Sequence, residues 1–165
     1  MGLFVLVGGW PGSGKSTLAE ALAAELRLPL LAKDEIKEAL TEALGVPSTV
    51  VESRWLGKAA VHAMLRVAAR CDGAVLDSTW FEYTRPGVLR LPGRVVEVCC
   101  VVPLGVARAR YRARTRHATH RDLERDDAEL WGTPFTPLGI GPRLDVDTSG
   151  PVDVAALAAV ITAAR

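Results

Sequence analysis

The sequence predicts an α/β fold of three layers, with helices on both faces of a five-stranded parallel sheet. Three observations predict it. Short apolar runs of the fully buried type recur along the chain, and segments with helical apolar spacing separate them. The first of these runs enters a glycine-rich turn that opens directly into a helical pattern. At 165 residues, 49% apolar and 24% charged, the chain fits one domain with a proper core. We read residues 1–165 as that single domain, without repeat or linker.

Each element follows from local chemistry. Leu3 to Val7 is the first buried strand. Lys15 to Leu26 carries Leu18, Ala21, Leu22 and Leu26 at helical spacing. Pro29 to Ala32 is a second strand leading to Lys33 and Asp34. A helix begun by Asp34 or a neighbour runs to Leu44, where Gly45 and Pro47 stop it. Ser53 to Ala69 is a longer helix, on which Trp55 is expected in the core and His62 as an ordinary helix residue. Gly73 to Asp77 is the third strand, and STWFEYTRPG is a loop or a broken helix start. Arg94 to Val102 is the strongest β run. Gly105 to about Arg116 is helical and basic, and a polar segment follows to Leu130. WGTPFTPLGIGP is too rich in glycine and proline to be regular. Leu144 to Thr148 is the last strand, and Pro151 caps a helix from about Val152 to Ala164.

Composition narrows the function. A formal net charge of +1 does not advertise nucleic acid or a membrane surface. The apolar start is far too short to span a bilayer and lacks a basic leader or a cleavage site, so a soluble cytoplasmic protein is expected. Cys71, Cys99 and Cys100 show no metal or disulfide spacing, and the adjacent pair reads as core.

The chemistry starts at Gly9-Trp10-Pro11-Gly12-Ser13-Gly14-Lys15-Ser16-Thr17. The pattern G-x-x-x-x-G-K-[ST] is complete at Gly9, Gly14, Lys15 and Ser16, and it sits between a strand and a helix as a phosphate-binding loop must. Gly12, Ser13 and Gly14 would turn backbone N–H groups onto a β-phosphate at the positive end of the helix. Lys15 would reach the β- and γ-phosphates, Ser16 would ligate Mg²⁺, and Thr17 would meet the α-phosphate. ATP and Mg²⁺ are the expected cofactors.

No guanine-reading Asn-Lys-x-Asp occurs, and the strand ending in Asp77 continues with Ser78 rather than with a water-activating carboxylate. Asp34 follows the second strand. Groups at the carboxyl ends of parallel strands face a shared crevice, which makes Asp34 a candidate base for an attacking hydroxyl; the competing reading is a plain helix N-cap. Arg108, Arg112 and Arg116 share one helical face, flanked by Arg110 and Arg114. With the phosphate loop upstream they read as a lid over about residues 105–135 that stabilises transferring phosphate; the competing readings are a solvated basic helix and a nucleic-acid contact. Trp80 and Phe81, just past Asp77, are candidates for stacking on a substrate; Tyr83 and Trp131 lie near the same loops. His117 and His120 flank the lid as surface residues.

With these residues in hand, the chain resembles the small P-loop kinases grouped with zeta toxins, chloramphenicol phosphotransferase and the kinase domain of polynucleotide kinase, a group often described only as AAA family ATPases. The segments carrying the likeness are GGWPGSGKSTLA, LPLLAKDEIKEAL, GAVLDSTWF, RARYRARTRHATHRD and LDVDTSGPVD. The resemblance implies that Asp34 is the catalytic base, that Asp77 organises metal or substrate, and that Arg108, Arg112 and Arg116 clamp phosphates. It also implies that the nucleotide base lies near Asp147, Thr148 and Ser149. The implied activity is transfer of the γ-phosphate to a hydroxyl of a small antibiotic, nucleoside or sugar-like acceptor. The alternatives are a polynucleotide 5′-hydroxyl kinase and, from another class, a nucleotide-dependent protein that binds RNA or a partner.

Overall fold

The computed structural model describes residues 2–113 and 126–164. Its five strands are β1 (Gly2–Gly9), β2 (Leu30–Ala32), β3 (Gly73–Asp77), β4 (Gly93–Val101) and β5 (Arg143–Asp147). They form one sheet in the order β2-β3-β1-β4-β5, with every pair parallel. Central β1 is covered on both faces, which explains its unbroken apolar run. Phe4 and Leu6 point into one core with Met64, Leu65, Leu76 and Val88. Val5 and Val7 point into the other with Leu18, Leu22, Val75, Val98, Ala158 and Ile161. The period of two along the strand divides these residues between the layers.

The helices are α1 (Lys15–Leu26), α2 (Lys33–Leu44), α3 (Val50–Ala68), α4 (Arg85–Val88), α5 (Leu104–Ala113), α6 (Asp127–Trp131) and α7 (Val154–Ala163). A 3₁₀ turn at Glu82–Thr84 precedes α4, so the stretch after β3 is a broken helix start. Among the described residues, no helix is long and apolar enough to cross a membrane.

Register decides what reaches the site. Val7 pairs with Asp77, and Asp77 pairs with Ala32. The ends of β2 and β3 are therefore level and β1 runs two residues past them, to Gly9, so the glycine loop, Ser78 onward and Lys33-Asp34 leave the sheet at one edge.

Three expectations need correction. Helix α3 starts at Val50 rather than Ser53 because Thr49 caps it: its hydroxyl accepts from the Glu52 amide at 3.1 Å while Glu52 accepts from the Ser48 amide at 2.6 Å. Helix α7 is capped by Asp153, whose carboxylate accepts from the Ala156 amide at 3.0 Å, so Pro151 lies outside it. Trp55 is 66% exposed and not a core residue. The buried face of α3 is built from Ser53, Gly57, Ala60, Val61 and Met64 instead.

Residues 132–142 are irregular but firmly held. The carboxylate of Glu97, buried in β4, accepts from the amides of Leu138 at 2.6 Å, Ile140 at 2.7 Å and Gly141 at 3.4 Å. A buried carboxylate is tolerated when backbone donors satisfy it. This one fixes the strap that returns the chain from α6 to β5.

Candidate active site

The glycine loop occupies the turn from β1 into α1. Gly14, at φ 86°, is the N-cap of α1, and Gly12 also has a left-handed φ, 82°. A Cβ added to Gly12 would stand 2.0 Å from the Ala107 carbonyl oxygen, so α5 rests directly on the crown of the loop. The Thr148 hydroxyl donates to the Ser13 carbonyl and ties the loop after β5 to the same turn. A cavity of about 340 Å³ opens beside it, lined by Gly12, Gly14, Lys15, Ser16, Thr17, Arg110 and Ala113. A helix N-terminus with a lysine and converging amides is an anion site.

Asp77, the last residue of β3, lies within reach of Lys15 and Ser16. It is 5% exposed, hydrogen-bonded to the Ser16 side chain, and its Oδ1 has no hydrogen-bond partner among the described residues. Burial pushes its pKa upward, against the pull of Lys15 and the Ser16 hydrogen bond. The Asp34 charge adds to the rise, while Lys33 opposes it, so the two carboxylates feel each other across the crevice.

Asp34 does not cap α2. That helix begins at Lys33 with Ala32 as N-cap and no side-chain cap, leaving Asp34 in its first turn. Its Oδ1 lies 2.8 Å from the Lys33 ammonium, with both side chains partly open to solvent. The Lys33 stem lies against Gly57 of α3, where an added Cβ would be 3.6 Å from Cε.

The arginines sort differently from their spacing. Arg108 pairs with Asp127 of α6 at 3.1 Å, and Arg112 approaches the same carboxylate at 3.5 Å. Arg110, on the opposite side of α5, lines the cavity and donates to the carbonyls of Thr148 at 2.8 Å and Ser149 at 2.9 Å. Spacing by four finds a shared face but not what that face meets. Arg114, Arg116, His117 and His120 lie outside the described residues. Arg54 of α3 reaches Glu129 of α6 at 2.9 Å and links the two helices.

Trp80 is 4% exposed, and its indole N–H donates to the Val7 carbonyl at 3.1 Å. It packs under the loop as a core residue, contrary to the expected stacking role. Phe81 is 53% exposed and stacks on Tyr83 at 5.8 Å, so the open aromatic surface begins one residue later. Cys99 and Cys100 are buried, their thiols pushed up to about 11 and about 12 mainly by desolvation, as expected of core residues.

A family model described as an AAA domain matches residues 4–131. No curated protein matches the chain. Among solved structures, the chain is similar to a Chloroflexus aurantiacus protein assigned as a kinase, at TM-score 0.77 and 27% identity, over 99% of this chain and 98% of that one. It is also similar to the Mycobacterium tuberculosis APS kinase in complex with AMPPNP and APS, at TM-score 0.64 and 21% identity over 98% and 96% of the two chains. Acinetobacter baumannii shikimate kinase in complex with shikimate aligns at TM-score 0.64 and 17% identity over 98% and 91%. At their identities the last two are likenesses of fold, and that fold is the α/β sandwich of P-loop NTPases.

Proposed function

Because the chain belongs to the AAA domain family matched by residues 4–131, we propose that it is a small P-loop kinase moving the γ-phosphate of ATP to a hydroxyl of a small molecule. The observation that carries this reading is the parallel register of β1, β3 and β2, which brings their carboxyl ends to one edge of the sheet. It delivers an anion site, a buried carboxylate and a second, accessible carboxylate to one crevice. With Ser78 after Asp77, no carboxylate sits beside Asp77 to activate water, whereas Asp34 can meet an entering hydroxyl. The neighbours assigned as kinases support the class, and the shikimate and APS bound in two of them support a small acceptor.

In this reading Lys15 and the amides of Gly12 to Thr17 hold the triphosphate. Mg²⁺ fits the remaining donors: a hydroxyl at Ser16 and the unpartnered, buried Oδ1 of Asp77 are hard oxygen ligands. Among the described residues, no cluster of three His, Cys, Asp or Glu could hold a metal alone, so phosphate oxygens would complete its shell. Bound there, the ion would neutralise charge on the phosphates. Asp34 takes the proton of the acceptor hydroxyl as its oxygen attacks the γ-phosphorus, and the bond to the ADP oxygen breaks. Arg108 and Arg112, paired with Asp127, would have to leave that carboxylate to reach a phosphate, whereas Arg110 already faces the nucleotide cavity. The finer likeness to antibiotic, nucleotide-sugar and polynucleotide kinases keeps an antibiotic, nucleoside or sugar-like acceptor as the substrate class.

Incubating the protein with ATP, Mg²⁺ and a panel of nucleosides, sugars, hydroxylated antibiotics and 5′-hydroxyl oligonucleotides tests this by mass spectrometry. A phosphate monoester on one small molecule is expected. Product on oligonucleotides alone would replace the acceptor class, and ATP turnover without any ester would remove the kinase reading.

Gly12→Ala should block the site selectively. A Cβ there combines the clash with Ala107 and a disfavoured φ, a strain of about 1–3 kcal/mol that the loop must escape by moving. ATP affinity measured by calorimetry should fall about tenfold or more. Wild-type affinity would mean that α5 yields without cost.

A further inference from the structure

The geometry points to Trp131 as a positioning residue for the phosphate loop, joining the arginine-bearing helix α5 and the acidic helix α6 to the loop's crown. The inference rests on the reading that this loop binds a nucleoside triphosphate. Its basis is a reciprocal pair of indole bonds. Trp131, the last residue of α6, donates its N–H to the Pro11 carbonyl at 3.1 Å. Trp10, inside the loop, donates its own N–H outward to the Thr133 carbonyl at 3.1 Å. Two adjacent loop residues are thus stitched to two positions of the strap that α6 begins.

The Trp131 ring is held from both sides. Tyr111 of α5 meets it edge-on at 5.3 Å and 84°, and the Arg108 guanidinium lies over it at 5.6 Å. Arg108 is in turn paired with Asp127, four residues before Trp131. At its far end the strap is locked by Glu97 through the amides of Leu138, Ile140 and Gly141. The strap therefore has a fixed end in β4 and a working end on the loop.

The consequence is directional. A carbonyl held by Trp131 cannot rotate, and the Gly12 N–H, which shares its trans peptide plane, stays turned the opposite way. A loop without that bond samples other crown conformations, and ligand binding must first select the competent one. Trp131 is not among the residues lining the cavity; it sets how much of the loop population is ready.

Calorimetric titration of ADP and ATP into Trp131→Phe tests this, since phenylalanine keeps an aromatic ring and removes the donor. A lost hydrogen bond of about 1 kcal/mol corresponds to an affinity about fivefold weaker for both nucleotides. The KM for ATP should rise in parallel while kcat at saturating ATP stays unchanged, a split that general damage to the fold would not produce. Trp10→Phe, at a more exposed position, should weaken binding in the same direction by a smaller factor. If Trp131→Phe does not fold, the Trp10→Phe titration decides alone. Wild-type ADP affinity in the variants that fold overturns the inference and leaves the kinase reading standing. A wild-type protein that binds neither nucleotide removes that reading, and this inference with it.

Discussion

Asp34→Asn is expected to lower kcat by about 10²–10⁴-fold, the usual contribution of a positioned general base, while ATP affinity stays within a factor of two. The substitution is close to isosteric and removes only the proton-accepting charge. Helix α2 starts with Ala32 as its N-cap and without a side-chain cap, so it does not depend on this carboxylate. The surface pair with Lys33, 2.8 Å apart and partly solvated, adds little to stability. Steady-state kinetics together with nucleotide titration separates the two quantities. A kcat within threefold of wild type would sink the assignment of Asp34 as base, and a parallel loss of ATP affinity would move Asp34 from chemistry to binding.

Asp77→Asn should produce effects of opposite sign. Burial raises the pKa of Asp77 in the folded chain, so folding disfavours its ionised form. A raised folded pKa means that the group supports the fold best below its unfolded value and loses that contribution as pH rises through the folded value. At neutral pH the neutral amide should therefore raise the Tm of the ligand-free protein, by about 2–4 °C for ~1 kcal/mol in a domain of this size. The gain should vanish below about pH 4, where aspartate is protonated in both states. If Asp77 is the metal ligand proposed above, Mg²⁺-dependent turnover should fall by about 10² or more, because an amide would stand in place of its carboxylate beside Ser16. Thermal scans from pH 3.5 to 8 with parallel assays would show both. A Tm that falls at neutral pH would contradict a destabilising buried charge, and unchanged turnover would free Asp77 from any metal role.

The sheet, the glycine loop and most helices were legible because their signals are local. A complete phosphate-loop pattern and unbroken apolar runs need no tertiary information, and β3 and α1 match their sequence-read ranges at Gly73–Asp77 and Lys15–Leu26. The missed features depend on what packs opposite. Trp55 was expected in the core because large apolar residues usually face inward. The inner face of α3 is instead built from small residues such as Ser53, Gly57 and Ala60 where α2 approaches. The Thr49-x-x-Glu52 capping box was present in the sequence and marks the true start of α3. The arginine face could not reveal its partner, since helical spacing says nothing of Asp127, which lies outside α5, 15 residues past Arg112. Glu97 left one faint trace, a lone acid in the strongest β run, with a glycine- and proline-rich segment later in the chain to supply backbone donors. Trp131 was read only as an aromatic near the crevice loops, because its bond to Pro11 joins residues 120 positions apart.

The most direct test of the central claim follows the phosphate itself. The reaction would be run in ¹⁸O-labelled water with ATP, Mg²⁺ and the acceptor found by the product screen, and ADP, phosphate ester and inorganic phosphate would be counted together. Transfer to a hydroxyl predicts one ester for each ADP, no ¹⁸O in the ester, and almost no inorganic phosphate. Inorganic phosphate carrying ¹⁸O in step with ADP would instead show that water is the acceptor, and the crevice around Asp34 would belong to an ATPase.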